Sequence, residues 1–230
     1  MKTIGLLGGM SWESTAEYYR LANELVRDQL GGLHSAKLLM LSVDFAEVEA
    51  MQVAGRWDEA GELLADAAHR LELAGADLIV LCTNTMHKVA APIEDAISVP
   101  FVHLGDATAE AVRAAGLTRV GLLGTIFTME QDFYADRLRH HDLEVLLPDA
   151  DDQQRLSAII YDELCLGVIR EESRAFYLEV IGRLVAAGAE GVILGCTEIE
   201  LLIDQSHLAT PVFPTTRLHV EAAVDLALAD

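Results

Sequence analysis

Apolar residues along this chain fall into two alternating patterns. Short β-branched and leucine runs at Thr3 to Leu7, Ala36 to Val43, Leu78 to Leu81 and Phe101 to Leu104 read as strands in the first half. Arg119 to Leu123, Leu143 to Leu146, Gly191 to Leu194 and Val212 to Phe213 do so in the second. Longer stretches between them carry helical spacing. Trp57 to Ala74 places Leu63, Leu64, Ala67, Leu71 and Ala74 on one face, and Phe176 to Ala187 does likewise with Phe176, Val180, Leu184 and Ala187. Strands alternating with helices predict an α/β fold built on parallel sheet with helices on its faces.

The pattern also repeats at long range. Gly75-Ala76-Asp77-Leu78-Ile79-Val80-Leu81-Cys82-Thr83-Asn84-Thr85 aligns without gaps on Gly188-Ala189-Glu190-Gly191-Val192-Ile193-Leu194-Gly195-Cys196-Thr197-Glu198. Ile4 to Gly8 lies over Val120 to Gly124, which carries Tyr18 over Tyr134. Pro100-Phe101-Val102 lies over Pro211-Val212-Phe213, and Glu110-Ala111 over Glu221-Ala222. Similar βαβ units explain the matching apolar positions but not the coincident Gly, Pro and Tyr. A period this long predicts two related domains, not a solenoid. We expect residues 1–105 with 215–230 to form an N-terminal α/β domain and residues 106–214 a C-terminal one.

Composition narrows the function classes. The 230 residues are 52% hydrophobic and 23% charged, enough to bury a full core. Sixteen Lys and Arg against 37 Asp and Glu give a net charge of −21, which argues against nucleic acid or an anionic membrane surface as a partner. No apolar run approaches the roughly 20 residues that span a bilayer. Cys82, Cys165 and Cys196 form no paired framework, and MKTIGLLGGM lacks a charged stretch followed by a long apolar one, so the expectation is a cytoplasmic protein with free thiols. The glycines at Gly5, Gly8 and Gly9 fit neither dinucleotide nor P-loop spacing. The eight histidines are scattered and no C-x-x-C occurs, so neither a nucleotide cofactor nor a metal is expected.

Ligands of open parallel sheets bind at the carboxyl ends of the strands. Four such ends carry small polar groups: Gly8-Gly9-Met10-Ser11, Thr83-Asn84-Thr85, Gly124-Thr125 and Cys196-Thr197-Glu198. Ser14 with Glu17, Thr128 with Gln131 and Thr197 with Glu200 fit the capping-box spacing, which would aim backbone N–H groups at an anion without any arginine. Cys196 leads a capped turn, so its thiol pKa is expected to be lowered. The repeat pairs Cys196 with Thr83, and strand alternation turns Cys82 to the opposite face, into the core. His87, two residues past the Thr83-Asn84-Thr85 turn, can serve the site or simply sit at the surface.

Ile4-Gly-Leu-Leu-Gly-Gly-Met-Ser11, Leu81-Cys-Thr-Asn-Thr-Met-His87, Leu123-Gly-Thr125 and Gly195-Cys-Thr-Glu198 together resemble the aspartate/glutamate racemase family over nearly the whole chain. The resemblance implies two pseudo-symmetric α/β domains with the active site in the cleft between them. It implies no pyridoxal phosphate and no metal, an amino acid substrate, aspartate or glutamate, and a homodimer. The family uses a cysteine from each domain, one in C-N-T and one in G-C-T, to act on opposite faces of Cα. Here the first is Thr83. That substitution implies unequal use of the enantiomers, because a hydroxyl is a far weaker acid than a thiol, and the chain resembles the branch of the family with this Thr and Cys pair, which implies preference for L-aspartate and L-glutamate.

The resemblance further implies Thr83 and Cys196 as catalytic residues. Asn84, Thr85, Thr197 and the loop at Met10 would bind the α-carboxylate and amino groups, Gln52 and Thr125 the side-chain end, and Glu198 the ammonium. Gln52 read without the family is an ordinary helix residue. Ile160 to Gly167 places Cys165 where members of the family often carry a lysine for the distal carboxylate. Alternatives are a single-cysteine decarboxylase of the arylmalonate type and a non-catalytic amino-acid binding protein. Trp57 and Tyr18 are candidate interface residues.

Overall fold

The computed structural model describes residues 1–229. The chain divides into two units, residues 1–103 with 219–230 and residues 104–218. In the first unit the order is β1 (Ile4–Gly8), α1 (Trp12–Leu30), β2 (Leu38–Ser42), α2 (Phe45–Val53), α3 (Trp57–Leu73), β3 (Leu78–Leu81), α4 (Ala90–Asp95) and β4 (Phe101–Val102), with a 3-10 turn at Thr85–Val89 before α4. The second runs α5 (Leu104–Ala114), β5 (Arg119–Gly124), α6 (Ile126–Glu130), α7 (Asp132–Arg139), β6 (Glu144–Leu146), α8 (Ala150–Asp162), α9 (Glu171–Ala186), β7 (Gly191–Gly195), α10 (Ile199–Leu202) and β8 (Val212–Pro214). The last helix, α11 (Thr215–Leu228), begins in the second unit and from His219 onward belongs to the first.

Each unit holds one four-stranded parallel sheet, ordered β2-β1-β3-β4 and β6-β5-β7-β8. The two sheets share their register as well as their order. Ile4 pairs with Leu78 as Val120 pairs with Gly191, and Ile79 pairs with Phe101 as Val192 pairs with Val212. Strand starts are fastened alike: Asp77 accepts from Thr3 N through its carboxylate and donates its own N–H to Thr3 O, and Glu190 does the same with Arg119.

Both faces of each sheet are covered, so side chains alternate between two apolar layers. In the first unit Leu78, Val80 and Cys82 face Tyr18, Leu21, Val26, Val220 and Val224, while Ile79 and Leu81 face Leu64, Ala67, Leu71 and Met86. In the second, Val192, Leu194 and Cys196 face Leu156, Tyr177 and Val180, and Ile193 faces Val112, Tyr134 and Leu138. Partner strands set strand length. β2 is shorter than the apolar run Ala36 to Val43 because β1 pairs with only Leu38 to Ser42, and β7 reaches Gly195 because Gly124 pairs there. Leu104 opens α5 instead of closing β4.

Two departures concern local expectations. Tyr18, considered for an interface, is fully buried, and Trp57 is half-buried with the Lys88 ammonium 3.8 Å from its ring centroid. None of the three expected capping boxes forms. Ser11 caps α1 by accepting from Ser14 N, and Thr125 caps α6 by accepting from Thr128 N, each three residues before the predicted start. The four-residue α10 has no side-chain cap. Thr197 and Glu200 instead accept from the Thr216 hydroxyl and the Thr216 N–H, holding the first turn of α11.

Candidate functional site

In the first unit the polar residues gather at the carboxyl ends of the adjacent strands β1 and β3. The loop after β1 turns at Gly9, where φ is 101° and a Cβ would meet the Val43 backbone, so only glycine fits. Thr15 Oγ1 then accepts from Gly9 N at 2.8 Å and donates to Ser11 O at 2.9 Å, which shapes the Met10-Ser11 segment. Ser14 Oγ ties this loop to the end of β3 by donating to Cys82 O. Cys82 is completely buried with Leu78 and Val80, and Thr83 follows it in the turn past the end of β3, its N–H on Leu81 O. Met10, Thr83, Asn84 and Thr85 are all buried. Gln52, on α2, is buried too; its Nε2 donates to Met86 Sδ at 2.9 Å, and its Oε1 has no hydrogen-bond partner.

His87 lies under this turn, not at the surface. Its Nδ1 is 2.7 Å from Thr83 O, and its ring makes edge contacts with His103 at 4.7 Å and His219 at 5.6 Å. His219 bridges Tyr18 OH, 2.9 Å from Nδ1, and Val102 O, 2.6 Å from Nε2. A carbonyl only accepts, so His219 carries its proton on Nε2 and His87 on Nδ1. Burial first, and the neighbouring imidazoles second, hold His87 well below the ordinary histidine range; burial takes His219 down to about 4.

In the second unit Gly124 and Gly195 are paired, which sets Thr125 beside Cys196 at the ends of β5 and β7. Thr125 Oγ1 contacts Thr128 Oγ1 at 3.1 Å and caps α6. Cys196 donates its S–H to Glu198 Oε2 at 2.8 Å, and all four candidates here, Thr125, Cys196, Thr197 and Glu198, are buried. The expectation of a lowered Cys196 pKa is overturned. Burial pushes the thiol well above its ordinary range, and the Glu198 charge and hydrogen bond push it further. A four-residue helix contributes too little dipole to offset that. Glu198, expected to accept from the substrate ammonium, accepts from the thiol through Oε2.

Residues 7–223 match the family model for Asp/Glu/hydantoin racemases. The chain belongs to that family. It is similar to the crystal structure of a candidate Asp/Glu racemase from Yersinia pestis, at 53% identity and TM-score 0.94, each chain covered in full. An aspartate racemase homologue from Pyrococcus horikoshii matches at 35% identity and TM-score 0.88, again over 100% of both chains. The broad-specificity amino-acid racemase RacX of Bacillus subtilis is 24% identical over 176 residues, covering 75% of this chain and 74% of that one. The protein is thus an isomerase of the racemase type.

Racemisation needs one group to take the Cα proton and another to return a proton on the other face. At the end of β7 a thiol is held against a carboxylate, and at the end of β3 a hydroxyl lies on a turn whose carbonyl meets a histidine. Among the described residues no helix is long and apolar enough to cross a membrane, and no group of three or more His, Cys, Asp or Glu could hold a metal ion. Sequence reasoning missed His103, His219, Glu200 and Thr216. The repeat carried a usable signal, since extending the Glu110/Glu221 block back by two residues sets Thr108 over His219, beside the matched pair Tyr18 and Tyr134.

Proposed function

We propose that this racemase acts on aspartate and glutamate, preferring the L-enantiomers, with Cys196 and Thr83 as the two groups that move protons at Cα. The observation that carries the reading is the Cys196–Glu198 pair. A neutral thiol donating to a carboxylate can take a Cα proton as its own proton passes to Glu198, so no free thiolate has to stand in a buried site. Charge is conserved in that exchange: one proton leaves Cα for sulfur, and one leaves sulfur for oxygen. Thr83 then delivers its hydroxyl proton to the other face of the carbanion as its oxygen takes one from water, so no alkoxide is left, and Glu198 returns its proton to solvent. Reversing the sequence asks a hydroxyl to act as base, which is the harder direction and the source of enantiomer preference.

Asn84, Thr85, Thr197 and the Met10 loop bind the α-carboxylate and amino group in this reading, and Thr125 and Gln52 the distal end. No cofactor is invoked at any step.

The test is proton NMR in deuterated water with each enantiomer of aspartate and glutamate, reading loss of the Cα signal as exchange, with polarimetry reading inversion. Wild type is expected to exchange the L-substrates faster than the D-substrates. Cys196→Ala should lose both readouts, while Thr83→Ala should keep exchange from the L-substrates and lose inversion. Exchange that survives Cys196→Ala, or four substrates that all keep their Cα protons, would overturn the reading.

A further inference from the structure

We infer that His87 is a positioning residue for Thr83: its Nδ1–H, fixed by edge contacts with the half-buried His103 and buried His219 rings, sets the orientation of the turn that presents the Thr83 hydroxyl. This rests on the proton-transfer reading above. The Thr83 main chain is gripped on both sides, with its N–H donating to Leu81 O at 2.8 Å and its carbonyl accepting from His87 at 2.7 Å. One residue earlier, Cys82 is held by its N–H on Leu7 O and by Ser14 Oγ on its carbonyl. Leu81, Cys82 and Ser14 fix where the strand ends. His87 holds the carbonyl that follows the Thr83 Cα, so it fixes the course of the turn on which the side chain stands.

The imidazole is itself prevented from turning. The His103 ring packs edge-on against it with 65° between planes, Phe101 lies 5.7 Å away, and His219 closes a third side. His219 is clamped between Tyr18 and Val102, so its ring is a rigid wall. The repeat makes the device specific to this turn. Under it His87 corresponds to Glu200, whose carboxylate reaches forward to Thr216 N, and Cys196 O accepts only a backbone N–H, that of Ile199, among the bonds this turn makes. A general-purpose brace for strand ends would be found at both.

The consequence is separable by experiment, because His87 acts on the proton transfer of one face only. Exchange of the Cα proton of L-aspartate by Cys196 and inversion through Thr83 are measured together for wild type, His87→Asn, His87→Gln and His87→Leu. Asparagine places an N–H where Nδ1 stands, and glutamine places it further out, where Nε2 stands. His87→Leu and His87→Gln are expected to lower inversion by about 100-fold, the cost of a misplacement near 1 Å, with exchange from the L-substrate changed by less than about threefold. His87→Asn should restore inversion to within about threefold of wild type.

If inversion and exchange fall together in His87→Gln and His87→Asn alike, the histidine is merely structural and the proposal fails. Inversion that survives His87→Leu overturns it as well. A wild type that neither exchanges nor inverts would instead sink the proton-transfer reading, and this proposal with it. Nitrogen-15 NMR of the wild-type histidines gives a readout independent of turnover. The His87 proton is expected on Nδ1, and an Nε2–H tautomer would overturn the proposal.

Discussion

The turns after β3 and β7 occupy the same place in two sheets of identical strand order and register, yet they are held by opposite chemistries. Thr83 sits on a turn braced from below by neutral imidazole, whereas Cys196 shares its proton with a carboxylate two residues on. Burial raises the cost of charge in both places, and each turn answers differently. A hydroxyl that gives up its proton can be re-supplied by water in the same step, so in the proposed reading the first turn contributes orientation. A thiol that loses and regains a proton, as proposed for Cys196, has an acceptor within reach in Glu198. Duplication of a fold preserved the backbone frame and left the side chains free to specialise.

The largest expected effect falls on the thiol side. Cys196→Ala should lower Cα exchange by about 10,000-fold by deuterium incorporation, since in the proposed reading Glu198 receives a proton only by way of the sulfur. An equal loss of exchange in Thr83→Ala would erase the asymmetry between the turns.

Acid should damage the imidazole side next. His219 is held neutral down to about 4 in the folded chain, against an ordinary value of 6.5, so the unfolded state binds the extra proton between those values. Stability is therefore fully present above pH 6.5 and falls as pH drops toward 4, by on the order of 3 kcal/mol for this group. His87, shifted in the same direction, adds to the loss. Denaturant melts of wild type and His219→Gln across pH 4 to 7 would measure it. A slope that persists unchanged in the variant would place the effect elsewhere.

Glu198→Gln sharpens the comparison from the other side. Losing the charged acceptor should slow exchange by about 30-fold. The same change removes a charge that raises the thiol pKa, so Cys196 should begin to react with iodoacetamide at lower pH than in wild type. Slower exchange without that shift would mean that Glu198 acts on the substrate instead.

The smallest difference lies in the matched tyrosines. Tyr18→Phe takes a hydroxyl from His219 Nδ1, a buried acceptor, at about 2 kcal/mol. Tyr134→Phe takes one from Thr108 Oγ1, which still donates to Leu104 O, at about 1 kcal/mol. Thermal melts that rank the two the other way would show that the histidine cluster is less tightly coupled to α1 than its distances imply.

Strand and helix order, and the correspondence of Thr83 with Cys196, were legible because they depend on hydrophobic spacing and on Gly, Pro and Tyr at repeated positions. The burial of Cys82 followed from strand alternation alone. Caps were misjudged because Ser11 and Ser14, or Thr125 and Thr128, are equally good capping residues three apart, and the choice depends on where the preceding strand releases the chain. Gln52 read as an ordinary helix position because its neighbour Met86 is 34 residues away.

By itself, then, the sequence determined the α/β class, the duplicated order of elements, the family and the residues at the strand ends. Those are properties of local spacing, since each strand and helix is written in consecutive residues. Tertiary structure alone decided the protonation of the site. Whether Cys196 is thiol or thiolate, and which nitrogen of His87 carries the proton, turn on burial and on partners drawn from other elements, and a pKa is set by surroundings that no linear spacing encodes.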